Sequence, residues 1–186
     1  MAIDYWDNEE DTDGNFEIKT GFELIPEKST CLMMIEGVSI KPPDDNEPDD
    51  YICIDWVVIQ PEEYESRKVS QKIRYLNEKD TKRKKAFDML KSIDFNAGGK
   101  LRASDTKPSE WDDKLLSKCL NNKQMLCTVM IYEFDKGEGK TFTGNWISKV
   151  APKNSGKPEI AEQKPKQQKQ TKYADDKAID EDDIPF

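Results

Sequence analysis

Residues 180–183 are Asp-Glu-Asp-Asp, and Ile184-Pro185-Phe186 follow them at the end of the chain. Such residues make a ligand rather than a core segment. Phe186 with its α-carboxylate suits an apolar pocket rimmed by Arg or Lys, while Asp182, Asp183 and the acids before them steer the encounter with a basic surface. Pro185 restricts the backbone around Ile184 and lowers the ordering cost of binding. A run of like charge is more often an ordinary solvated tail, but acids followed by Ile-Pro-Phe form a much narrower pattern.

A second group of residues has the types needed to hold a single-stranded nucleic acid, which takes cations spaced along a groove and aromatic faces on which bases stack. Lys68, Lys72 and Arg74 recur at even positions of one predicted strand, so a single pleated face carries them. As a set they favour phosphate contact over the simpler reading of a solvated strand face. Lys82, Arg83 and Lys85 add cations on a following helix, where a solvated face is the simpler reading. The aromatic candidates are Tyr51, Trp56, Tyr75, Tyr132, Phe142 and Trp146. Trp56 shares a face with Ile52, Ile54 and Val58 and is expected in the core. Tyr51 starts a strand beside a polar loop and is expected to be exposed. Trp146 lies on a face with Phe142 and Gly144 and is equally a stacking or a core residue.

Other chemistries find little to build from. The chain has no histidine, which removes Ser-His and Cys-His dyads, and its four cysteines have no Cys-x-x-Cys spacing. They read as reduced core thiols. Asp44, Asp45, Glu47, Asp49 and Asp50 crowd into one Pro-rich loop rather than onto separate rigid elements, so a solvated turn is a better reading than a two-metal site. Gly98-Gly99-Lys100 lacks the spacing and hydroxyl of a phosphate loop. The expectation is a protein that is not an enzyme and uses no cofactor or metal.

The elements that must position these residues follow from pattern and charge. The chain has 186 residues, 35% hydrophobic and 36% charged, with a formal net charge of −9, which suits one small domain with tails. The first fifty residues hold fifteen acids and three lysines, whereas residues 66–91 hold ten Lys or Arg against three acids. A basic surface on an acidic protein is therefore expected. Residues 1–20 read as an acidic N-terminal arm. Strands are predicted over Ser29 to Lys41, with a bulge or bend at Gly37, and over Tyr51 to Gln60, Arg67 to Leu76, Met125 to Phe134 and Thr141 to Val150. A helix capped by Asp80 runs to about Ile93, and a second, shorter helix carries Trp111, Leu115, Cys119 and Leu120. Residues 151–177 are Pro, Gln, Lys, Gly and Ser rich and read as a disordered linker to the tip at 178–186. No apolar run approaches the length of a membrane span and the acidic start is unlike a signal peptide, so a cytoplasmic protein is expected.

Three strands, a helical region and a hairpin form the succession of an OB fold, a five-stranded Greek-key barrel. The expected fold is mainly β: a five-stranded OB-fold barrel over 21–150 with a helical insert between strands 3 and 4. The last five residues, Asp-Asp-Ile-Pro-Phe, closely resemble the acidic tip of bacterial single-stranded-DNA-binding proteins. The core resembles such proteins encoded by phages, through Gly21 to Pro26, Lys82 to Lys85 and Asn145 to Val150. The resemblance implies a domain that covers single-stranded DNA with little sequence preference in replication, recombination or repair. It also implies a tip that recruits host DNA-processing enzymes in the host cytoplasm. The long helical insert departs from the bacterial domain, so no binding residue transfers by alignment, and self-association stays open. The acidic tail is further expected to fold back on the basic groove and compete with phosphate. The alternative is a protein that captures or inhibits the host enzymes through its tip without binding DNA.

Overall fold

The computed structural model describes residues 23–43, 47–135 and 141–161. Five strands, β1 (Ser29–Lys41), β2 (Tyr51–Gln60), β3 (Lys68–Ile73), β4 (Gln124–Asp135) and β5 (Thr141–Ala151), form one antiparallel sheet in the order β3-β2-β1-β4-β5. Between β3 and β4 lie α1 (Asp80–Ala97), α2 (Lys100–Ala103) and α3 (Asp113–Leu120). The expected mainly β chain with helices after the third strand is what the structure contains.

Alternation of apolar residues sets which face each strand buries. Cys31, Met33 and Ile35 of β1, Ile52, Ile54, Trp56 and Val58 of β2, and Met125, Cys127 and Val129 of β4 all point into one core. The β1–β2 register runs from Ile35 opposite Trp56 to Gly37 opposite Asp55, leaving Glu36 as the extra residue of a bulge. The bulge sits at the expected place and returns Val38 to the core side. β5 has a similar shift, with Thr128 opposite Lys149 and Val129 opposite Ile147.

β3 and β5 are the two edges of the sheet, and side chains draw them together. Trp56 Nε1 donates to Gln71 Oε1 at 3.0 Å, and Gln71 Nε2 donates to the Ile147 carbonyl at 3.2 Å. One buried amide thus links β2, β3 and β5. Residues 23–25 approach the same seam: Arg67 Nη1 donates to the Glu23 carbonyl at 2.6 Å, while Asn145 clasps Ile25 by donating to its carbonyl at 2.8 Å and accepting its N–H at 2.9 Å. Asn145 imitates a ladder partner here. It satisfies a buried backbone segment that has no strand of its own.

The helices close one end of this core. Leu90 and Ile93 of α1 and Leu116 and Leu120 of α3 are buried. Asp112 is the N-cap of α3, its carboxylate accepting the Leu115 N–H at 2.7 Å. α1 runs four residues past Ile93, and Lys79, not Asp80, holds its N-cap position. It ends where Gly98 adopts φ 105° and donates to the Asp94 and Phe95 carbonyls, a conformation that glycine reaches without a Cβ clash.

Two boundaries differ from the sequence reading. β3 is shorter than the predicted Arg67 to Leu76, because Arg74 leaves the ladder in a turn after Ile73. The predicted linker at 151 begins too early. Ala151 belongs to β5, and the chain then returns to β1, where Thr30 and Glu159 exchange N–H···O bonds of 2.7 and 2.8 Å and the Ala161 N–H donates to Ser29 Oγ at 3.1 Å. The 1–20 arm, residues 162–177 and the 178–186 tip lie outside the described residues. No described helix is long and apolar enough to cross a membrane.

Candidate nucleic-acid interface

Lys68 and Lys72 of β3 share the outer face of the sheet, as the alternation requires, and Arg74 follows just past the strand, but all three meet acids there. Arg74 makes a two-pronged contact with Glu47, Nε to Oε2 at 2.6 Å and Nη2 to Oε1, and both side chains are largely buried. Lys72 Nζ reaches the same carboxylate at 3.4 Å and lies 5.0 Å from the centre of the Tyr51 ring. Lys68 pairs with Glu36 at 2.7 Å in an exposed position. It is the bulge in β1 that turns Glu36 outward to meet it.

Asp55 adds a third acid to this face, accepting from Ser70 Oγ at 2.6 Å. Three cations, Lys68, Lys72 and Arg74, thus stand among three acids, Glu36, Glu47 and Asp55. Each of the three candidate cations is paired with an acid on this face. Glu47, weighed in the sequence as a possible metal ligand, is 4% exposed and anchors the loop after β1 to β3. Tyr51, expected to be exposed, is buried beneath Lys72. Its strand-start position beside a polar loop did not reveal that the loop's own acid would hold a lysine over the ring.

The helical cations fall elsewhere. Arg83 is engaged with the turn before α1, donating to the Asn77 carbonyl at 3.0 Å and to the Asp80 carboxylate. It completes the start of the helix. Lys82 and Lys85 lie on the same helix, Lys82 half-buried and Lys85 exposed.

An aromatic surface forms instead on the outer face of the β4–β5 hairpin. The register sets Met130 opposite Trp146, Tyr132 opposite Gly144 and Phe134 opposite Phe142, so all these side chains share one face. Tyr132 and Phe142 rings lie 6.1 Å apart at 35°. Phe134 and Phe142 are 44% and 51% exposed, and Trp146 is half-buried. Gly144 is what permits the arrangement. A Cβ at that position would stand 2.5 Å from Tyr132 Oη and 2.6 Å from Cζ, so the tyrosine ring lies directly over the glycine backbone.

Lys149 is opposite Thr128, on this same outer face, and is exposed. The surface therefore offers three rings and an indole as flat apolar faces, with one cation, Lys149, at one end. Trp146, Tyr132 and Phe142 were aromatic candidates in the sequence. Phe134 and Lys149 were missed. A turn over 135–140 would set Phe134 opposite Thr141, whereas the ladder closes at Asp135 and Thr141, and this one-residue difference is what sets Phe134 opposite Phe142. Asp182, Asp183, Ile184, Pro185 and Phe186 lie outside the described residues.

The cysteines are free thiols. Cys31 and Cys127 face each other across β1 and β4, where burial pushes the Cys31 thiol up to about 11 and raises Cys127 further. Burial, then the charge of Asp55, also raises Cys53. Such thiols stay protonated and unreactive near neutrality. No family model matches this chain, and no characterised protein is significantly similar to it.

Proposed function

We propose that this chain binds single-stranded DNA through the aromatic face of its β4–β5 hairpin, on a five-stranded OB-type barrel, and recruits DNA-processing enzymes through residues 178–186. The observation that carries the reading is the Tyr132–Phe142 ring pair with Phe134 and Trp146 on one outer face. Exposed and half-exposed rings outside the core are suited to base stacking, at about 1–3 kcal/mol per base. The barrel reading is supported by the strand order, with β3 and β5 as neighbouring edges tied by Gln71 and Ile147. The hairpin would then correspond to the loop 4–5 region with which OB folds contact oligonucleotides.

In this reading bases stack along the hairpin, and Lys149 meets phosphate. Lys68, Lys72 and Arg74 serve mainly to hold the β2–β3 face and its acidic loop together. Binding should be driven more by stacking than by charge. With the one phosphate contact of Lys149 the salt slope would be roughly −0.7. Titration of fluorescent oligo-dT at two salt concentrations tests this: micromolar or tighter binding with a shallow salt dependence supports it, and no binding at low salt overturns it.

The pairing of Lys68, Lys72 and Arg74 with acids favours a second reading, a protein that captures or inhibits host enzymes through its tip without touching DNA. The same titration separates the two. A chain that pulls down such enzymes yet leaves oligo-dT free fits only the second.

A further inference from the structure

Residues 152–161 cross the outer face of the sheet as a strap. Lys153 Nζ donates to Gln124 Oε1 at 2.8 Å, a Cβ added to Gly156 would stand 3.5 Å from Leu126 Cδ1, and Glu159 reaches Thr30 of β1. Gln124, Leu126 and Thr128 alternate with Met125 and Cys127 of the core, so they share the outer face with Tyr132 and Phe134. Leu126 is buried without belonging to that core, because the strap lies over it. From the hairpin turn downward, β4 carries the rings first, then Thr128 opposite Lys149, then Leu126 under Gly156, then Gln124 with Lys153. Rings and lysines follow one another along a single strand from Phe134 to Gln124, a length of about 33 Å. Residues 141–161 hold three lysines, Lys149, Lys153 and Lys157, against one acid, Glu159, on a chain whose net charge is −9. All three lysines are exposed, and among the described residues none of them pairs with an acid.

Resting on the hairpin reading above, we propose that the strap is the second half of the DNA-binding surface. Bases stack on the hairpin rings, and Lys153 and Lys157 continue the phosphate contact that Lys149 begins. What separates these lysines from the cations of β3 is their partners. Lys68, Lys72 and Arg74 must break ion pairs before they can meet a phosphate, whereas Lys153 gives up only a hydrogen bond to a neutral amide in an exposed position. A phosphate oxygen replaces that amide with a charge-assisted bond, about twice as strong as a neutral one. The strap is also held at both ends, by Ala151 in β5 and by the two backbone bonds between Glu159 and Thr30, so its lysines are brought to the DNA without ordering a free loop. Glu159 itself lies at the far end, beside β1 and past Lys157. The result is a divided surface, stacking at the hairpin end and charge at the strap end.

The test is the salt dependence of oligo-dT binding by the full chain and by a variant carrying Lys153→Ala and Lys157→Ala. Each phosphate contact on a single strand contributes roughly −0.7 to the slope, so the three lysines together give about −2 and Lys149 alone about −0.7. Between about 50 and 200 mM salt the parent should lose about twentyfold in affinity and the variant about threefold. Both should melt alike, since the two lysines are exposed. A control carrying Lys84→Ala and Lys91→Ala removes the same charge from exposed positions on α1 and should keep the parent's slope. A parent slope near −0.7 that the strap variant leaves unchanged would overturn the strap's part while the hairpin reading stands. An equal drop in the α1 control would overturn it as well, by assigning the effect to net charge. No oligo-dT binding by the parent at low salt would overturn the hairpin reading and the strap together.

Discussion

Arg74 and Glu47 form a two-pronged ion pair in which both side chains are largely buried, and Lys72 leans on the same carboxylate. A cation that looked available for phosphate is thereby a fastener between β3 and the loop that follows β1. Removing one partner strands the other in a poorly solvated place, whereas removing both together does not.

Glu47→Ala should therefore cost on the order of 3 kcal/mol, while Glu47→Leu combined with Arg74→Met should lie close to the parent protein. Denaturant unfolding of the three chains measures this. A double variant as unstable as Glu47→Ala would show that the pair contributes net stability of its own.

Gln71 holds two groups that have no route to water, the Trp56 indole N–H and the Ile147 carbonyl. Gln71→Leu fits the volume but satisfies neither, and should destabilise by about 1–3 kcal/mol. Its effect on oligo-dT affinity, measured well below the melting temperature, should be small, because the residue faces the core.

The aromatic hairpin gives the opposite pattern. Phe142→Ala and Trp146→Ala should each lose about 1–3 kcal/mol of oligo-dT binding, some five- to 150-fold. Lys68→Ala should change affinity less than threefold. Should Lys68→Ala prove the more damaging, the binding track would run along β3 after all.

Gly144→Ala tests the same face without deleting a ring. The new methyl displaces Tyr132, whose half-exposed ring can swing toward solvent, so the melting temperature should move by only a few degrees. Oligo-dT affinity should nevertheless fall several-fold as the ring is lifted out of line with Phe142.

Alkaline stability should report on the cysteine pair. Cys31 is raised from 9.0 to about 11 in the fold, so the folded state keeps a proton that the unfolded chain releases. Stability is full below about pH 9 and is lost as pH rises toward 11. Thermal melts from pH 8 to 11 should show this decline, and Cys31→Ala should show a smaller one.

Much of the strand framework was legible because alternation is a local signal. The predicted bounds of β1 and β2 coincide with the structure, and Glu36–Gly37 carries the expected bulge. Trp56 was assigned to the core from its neighbours on one face, and it is fully buried. What escaped depends on residues far apart in sequence. The Glu47 contact with Arg74 spans 27 positions and the Ala161 contact with Ser29 spans 132. Composition marked 151–161 as polar and loose, since two backbone hydrogen bonds to Thr30 leave no trace in hydropathy. Tyr51 failed for the same reason: its cover comes from another strand.

The return of residues 152–161 to β1 bears on how the domain can be isolated. Glu159 occupies the backbone of Thr30 just before the β1–β2 ladder begins at Leu32. A fragment cut after 150, where pattern alone would end it, bares that stretch of strand, and an uncovered edge recruits other chains. Such a fragment would be prone to aggregate for reasons unrelated to its core, and a fragment ending after 161 would not share that fault.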